Sequence, residues 1–104
     1  MYQAGQRVPQ NYAEAFKWFK KAAEQGDATA QFNLGVMYYK GQGVPQNNIK
    51  AYTWTSLAAE SGNKSAKHNM DVLTNKMTPE QIAQAQKEAA IFREKINKKT
   101  EVKQ

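Results

Sequence analysis

The stretch DATAQFNLGVMYYKGQGVPQNNIKAYTWTSLAAESG, residues 27–62, decides the fold, because most of it is written a second time just upstream. Residues 1–36 laid over 37–72 without a gap agree at seventeen positions, with Val8-Pro9-Gln10-Asn11 falling on Val44-Pro45-Gln46-Asn47 and Trp18 on Trp54. A fixed period of this length marks a solenoid, whose units cannot bury an apolar face alone and must stack on their neighbours. The expected class is all-α, an α-α superhelix built of helix hairpins, with function carried on an extended surface.

Helix signals support the hairpins. Asn11 is placed to cap a helix whose apolar residues Tyr12, Ala15, Phe16, Phe19, Ala22 and Ala23 follow one helical face, with Trp18 widening it. Gly26 reads as a left-handed stop and Asp27 as the cap of the next helix, so the chain must reverse there. That helix runs through Ala30, Leu34, Met37 and Tyr38 to Gly41. A Gly41-Gln42-Gly43-Val44-Pro45-Gln46 loop then leads to a helix from Asn48 to Ser61, stopped by Gly62. By repeat position Gly5-Gln6-Arg7 is expected to be the same turn.

The pattern restarts at Asn63 and then departs. In place of the glycine loop stands Thr78-Pro79-Glu80-Gln81, a capping box with proline at the first helical position and Met77 set to staple onto Ile82. Ile82, Ala85, Ala89, Phe92 and Ile96 follow at 3, 4, 3, 4 spacing, one narrow seam on an otherwise polar helix. Such a helix caps an array.

The block Ala30-Gln31-Phe32-Asn33-Leu34-Gly35-Val36-Met37-Tyr38-Tyr39, Gly41-Gln42-Gly43-Val44-Pro45-Gln46, Ala51, Trp54 and Ala58-Ala59-Glu60-Ser61-Gly62 closely resembles the Sel1-like repeat family, which is related to the tetratricopeptide repeat. The resemblance covers about residues 1–73. It divides the chain into a partial repeat (1–26), a complete repeat (27–62), the first helix of a degenerate terminal repeat (63–77), a capping helix (78–98) and a basic tail (99–104). In the degenerate unit Met70-Asp71 stands where Leu-Gly is expected, and Thr74 where Tyr is expected. Gly26, Leu34, Gly35, Tyr38, Gly41, Gly43, Ala51, Trp54, Ala58 and Gly62 are the structural positions. Physics supports two kinds of them independently. Gly35 in mid-helix costs about 1 kcal/mol against alanine, which implies a neighbouring helix too close for a side chain. The alanines allow close approach, and Trp18 and Trp54 are expected to fill the space between hairpins.

Composition removes most chemistry. The 104 residues include no cysteine and one histidine, so thiolate metal sites and most nucleophile–base pairs are absent. His68 falls one repeat after Phe32 beside Lys67 and reads as solvent-facing, and Gly41-Gln42-Gly43 lacks the lysine and hydroxyl of a phosphate loop. The expectation is a protein that is not an enzyme and needs no cofactor. No apolar run approaches a membrane span, so the chain reads as soluble, cytoplasmic or else periplasmic or secreted if a signal peptide has been removed. The net charge of +6 is uneven: six Lys or Arg face four acids through Gly62, and nine face five beyond it.

Two surfaces are candidates. Along the helix after Asp27, Ala30, Leu34 and Met37 recur as Ala66, Met70 and Leu73, as a core should, whereas Phe32, Val36 and Tyr39 become His68, Val72 and Asn75. Carried over from the tetratricopeptide analogy, that second stripe, flanked by Thr29, Lys40, Ser65 and Lys76, lines a concave partner-binding face. The alternative is that Phe32 and Tyr39 pack against the next hairpin. At the other end, Tyr12, Phe16 and Phe19 have no upstream hairpin mate in the sequence, so self-association through this end is expected.

The resemblance implies a noncatalytic scaffold or adaptor for a protein or peptide partner. Such repeats are common in bacterial signalling, envelope, secretion-linked and host-interaction proteins, and some inhibit toxic effectors. The basic charge favours an acidic partner through faster association. Nucleic-acid binding is the competing reading, weakened because Lys17, Lys20 and Lys21 become Thr53, Ser56 and Leu57 in the next copy. A third reading makes the segment the terminal cap of a larger repeat protein whose functional site lies elsewhere.

Overall fold

A computed structural model describes the backbone of residues 4–103 and the side chains of residues 11–98. The described residues form five helices and no strand: α1 Ala4–Glu24, α2 Ala28–Lys40, α3 Asn48–Glu60, α4 Lys64–Thr74 and α5 Pro79–Lys103. The all-α repeat architecture read from the period is therefore what the chain adopts.

The same turn closes both hairpins. Gly26 takes φ 101°, with its N–H donating to Ala23 O at 3.0 Å and the Asp27 N–H donating to Ala22 O at 3.1 Å. Gly62 takes φ 97°, with equivalent bonds from Gly62 and Asn63 to Ala59 and Ala58. Glycine tolerates this left-handed geometry, and the paired bonds satisfy carbonyls the helix end would leave bare. The next residue caps at once: Asp27 accepts from the Ala30 N–H, and Asn63 from the Ala66 N–H, both at 2.9 Å. The capping box of α5 also forms, Gln81 N–H donating to Thr78 Oγ1 at 3.1 Å and Thr78 N–H to Gln81 Oε1 at 3.0 Å.

α3 is the centre of the molecule, packed by α2, α4 and α5. Every residue from Ala51 to Ala59 is buried, polar Thr53, Thr55 and Ser56 included. Gly35 explains how α2 comes so close. A Cβ there would stand 2.3 Å from Thr55 Oγ1 and 3.2 Å from Ala51 O, so the bare backbone is what admits α3. On the opposite side, Ala85 and Ala89 of α5 are buried, and Phe92 sets its ring 4.5 Å from that of Trp54. Arg93 grips Glu60 with two nitrogens, Nε at 2.9 Å.

Three expectations are corrected. The turn at Gly5-Gln6-Arg7 and the cap at Asn11 do not form, because α1 is already helical from Ala4. In the second copy Gly43 adopts φ 81° with its α-carbon against the Tyr12 carbonyl. Arg7 holds that repeat position, and a residue with a side chain avoids positive φ. The side chains of Val8 and Pro9 lie outside the described residues. α5 continues to Lys103, past position 98, since no glycine or proline follows to stop it. Finally, Trp18 is 67% exposed whereas Trp54 is 2% exposed. Phe16, Phe19 and Ala23 turn α1 towards the core, and a residue two places from Phe16 is rotated about 200° round the helix. α3 has neighbours on that side; α1 leaves its tryptophan in the open, with Lys21 Nζ 5.7 Å from the ring centroid.

Candidate protein-binding groove

α2 and α4 lie side by side with α3 beneath them, and a cavity of about 250 Å³ opens between them. Each helix contributes by a simple periodicity. Gly35, Val36, Tyr39 and Lys40 descend one side of α2; Asn69, Val72 and Leu73 occupy the matching side of α4; Thr55 forms part of the floor. The walls are therefore aliphatic and aromatic, while the side-chain polar groups are the Asn69 amide, the Thr55 and Tyr39 hydroxyls and the Lys40 ammonium.

Of the stripe read from the sequence, Val36, Tyr39, Lys40 and Val72 meet around this cavity. Phe32 does not line it. It packs, half-buried, against the alanine cluster Ala58, Ala59 and Ala66 near the start of the groove. Tyr39 does both, touching the buried cluster that contains Ala51, Tyr52 and Leu73 while lining the cavity. Thr29, Ser65, His68, Asn75 and Lys76 are exposed and do not line it, Asn75 closing the end of α4. Sequence reasoning missed Gly35, Thr55, Asn69 and Leu73 as groove residues. Asn69 carried a signal, being identical to Asn33 in the preceding copy; Thr55 carried none.

The surroundings are basic. Lys40 on α2, Lys64 and Lys67 on α4 and Lys76 just beyond it stand against two acids, Asp71 on α4 and Asp27 at the cap of α2. Two of the last four carbonyls of α2 are occupied: Met37 O accepts from Gly41 and Gln42, and Tyr38 O accepts from Asn47. Neither a carboxylate nor an imidazole lines the cavity.

The aromatic face of α1 is less open than the sequence implies. Phe16 meets Tyr38 edge-on at 5.6 Å, and both Phe16 and Phe19 pack on the cluster around Leu34 and Trp54. Tyr12 is half-buried beneath the loop after α2, its hydroxyl accepting from Gln42 Nε2 at 3.2 Å. The three residues expected to be bare are thus covered in part from within the chain. Tyr38, packed at this junction, has its phenol pKa raised, chiefly by burial and then by the charges of Glu24 and Glu88. Among the described residues no helix is long and apolar enough to cross a membrane, and no group of three or more His, Cys, Asp or Glu is placed to hold a metal ion.

Comparison with known proteins agrees with this architecture. The family model of the Sel1 repeat matches residues 1–27 and again 28–63. The fold is similar to the crystal structure of c5321, a protective antigen present in uropathogenic Escherichia coli strains that displays an SLR fold. The two share 31% sequence identity at a TM-score of 0.79, over 88% of this chain and 21% of that one. The chain thus spans about a fifth of the length of that relative. None of the curated proteins matches.

Proposed function

Because the chain belongs to the Sel1 repeat family, whose members generally serve as scaffolds for protein–protein interaction, we propose that it is a noncatalytic adaptor holding a protein or peptide partner in the groove between α2 and α4. One observation carries this reading. Val36, Tyr39, Lys40 and Val72, on two successive repeats, converge on a single half-open cavity although 36 residues separate the equivalent positions Val36 and Val72. A solenoid gains a continuous binding surface by this kind of convergence. At about 250 Å³ the cavity is smaller than the ~300–1,000 Å³ of small-molecule sites. It suits one anchoring side chain of a larger partner, the form in which interfaces concentrate their energy.

The test is a partner titration followed by amide NMR on the full chain, using peptides selected from a random display library. Shifts centred on Val36, Tyr39, Asn69 and Val72, abolished by Val72→Arg in a variant with unchanged circular dichroism, are expected. Shifts confined to the outer face of α1 would place the function elsewhere. A response to single-stranded oligonucleotide alone would replace the adaptor reading with nucleic-acid binding.

A further inference from the structure

The floor of the groove holds a hydrogen-bonding group that the fold does not use. Thr55 is 1% exposed and lines the cavity, yet its hydroxyl has no hydrogen-bond partner among the described residues. Its neighbours on α3 are engaged: Thr53 Oγ1 donates to Ile49 O at 2.9 Å, and Ser56 Oγ donates to Thr53 O at 2.9 Å. Among the described residues Gln31 Oε1 is the one fully buried side-chain polar atom without a partner, so the Thr55 oxygen is reachable from the cavity that it lines. Gly35 keeps this oxygen uncovered, since a Cβ there would stand 2.3 Å from it. Asn69, half-buried across the cavity, likewise has an amide with no partner among the described residues.

The stacked order is informative. Val36 and Val72 form aliphatic walls, Thr55 and Asn69 offer unspent donors, and Lys40 brings a cation to the same cavity. A purely aliphatic side chain would leave those donors unsatisfied, and a metabolite of ordinary size would not fit. A short aliphatic stem ending in an anion meets all of them. We propose that the anchor seated here is a glutamate side chain of the partner, its methylenes between Val36 and Val72 and its carboxylate accepting from Thr55, Asn69 and Lys40. The four lysines against two aspartates, Asp27 and Asp71, on or beside α2 and α4 leave a positive excess that matches this charge. This rests on the groove reading and specifies its ligand.

Pentapeptides Ala-Ala-X-Ala-Ala, capped at both ends, with X being Glu, Gln, Leu or Lys, are titrated against the full chain. The side-chain amide of Asn69 and the backbone amide of Gly35 are the reporters. The Glu peptide is expected to bind about tenfold more tightly than the Gln or Leu peptide. Thr55→Val is expected to weaken the Glu peptide about tenfold, the usual scale for a hydrogen bond to a charged group, while its melting temperature stays level or rises. Lys40→Gln is expected to remove most of the salt dependence. Equal binding of Glu and Leu, undiminished Glu binding by Thr55→Val, or no response to Glu at millimolar concentration each overturns the inference. If library-selected peptides still shift the groove amides, the adaptor reading survives that failure; if no peptide of any sequence does, both fall together.

Discussion

Gly35→Ala puts the close approach of α2 and α3 to a quantitative test. In an isolated helix the substitution would stabilise by about 1 kcal/mol, because alanine loses less backbone freedom than glycine. Here the new methyl would stand 2.3 Å from Thr55 Oγ1 and 3.2 Å from both Ala51 O and Thr55 N. Thr55 cannot swing away freely, since a β-branched side chain in a helix has few χ1 choices, and the two backbone atoms move only if the helices part. Overpacking of this kind costs about 1–3 kcal/mol, and with backbone on two sides the upper half of that range applies. The net effect is a loss of about 1–2 kcal/mol, which for a domain of this size lowers the melting temperature by roughly 5–15 °C. Thermal and urea unfolding followed by circular dichroism measures it. The double variant Gly35→Ala, Thr55→Ala removes the worst contact and should recover about 1 kcal/mol as a coupling energy. A single variant as stable as the parent, or a double variant with no coupling, would refute the claim that glycine is there to admit α3.

Other expectations follow from the same geometry. Trp54→Ala should cost about 3–5 kcal/mol, as for other buried large-to-small changes, while Trp18→Ala at the equivalent repeat position should stay within about 0.5 kcal/mol; chemical denaturation of the pair checks both. Asp27→Ala and Asn63→Ala should each cost about 1 kcal/mol through the lost cap, read as parallel shifts in urea midpoint at constant slope. Tyr38 titrates above its ordinary value in the folded protein, so the folded state holds that proton more tightly than the unfolded state does. Its contribution is complete below about pH 10 and is lost as pH rises through the folded pKa. Stability of the parent should fall more steeply above pH 10 than that of Tyr38→Phe, and parallel alkaline curves would contradict this. Arg93→Ala, breaking an exposed pair with Glu60, should change the urea midpoint by less than about 1 kcal/mol of stability.

What the sequence disclosed was mostly local. Caps at Asp27 and Thr78 and the helix stops at Gly26 and Gly62 are set by a few adjacent residues, so they can be read without knowing the neighbours. The α5 seam was equally legible because most of its large apolar residues share one face, Ile91 being the exposed exception. Gly35 was readable for the opposite reason, since only a close neighbour excuses a glycine in mid-helix. Trp18 misled because a repeat register fixes where a residue sits in its own unit and not whether the next unit is turned to meet it. The start of α1 misled through one substitution, Arg7 in place of the glycine at 43, which removes the positive-φ residue on which the turn depends. Of the stripe on α2, Val36 and Tyr39 line the cavity, but Phe32 and Tyr39 are seven residues apart, far enough for their ends to meet different clusters. Thr55 could not be found at all from the sequence. A threonine inside a helix looks ordinary, and only the notch above it, made by a residue twenty positions away, leaves its hydroxyl free.

The burial of α3 on every side also governs how the molecule opens. Its amide hydrogens can meet water only after α2, α4 or α5 has moved aside, so their exchange should require the whole free energy of unfolding, while those of the outer helices exchange through smaller openings. α4, with Ala66 and Leu73 as its buried residues, is the cheapest of the three to release, and its departure would dismantle one wall of the groove while the rest of the fold stands. A partner bound between α2 and α4 should therefore slow exchange in α4, whose opening would release it, and in α3, whose global opening would release it too, while local openings that leave the groove intact go on as before. On the adaptor reading, the wall that lines the proposed groove is also the part of the protein that a ligand would hold in place.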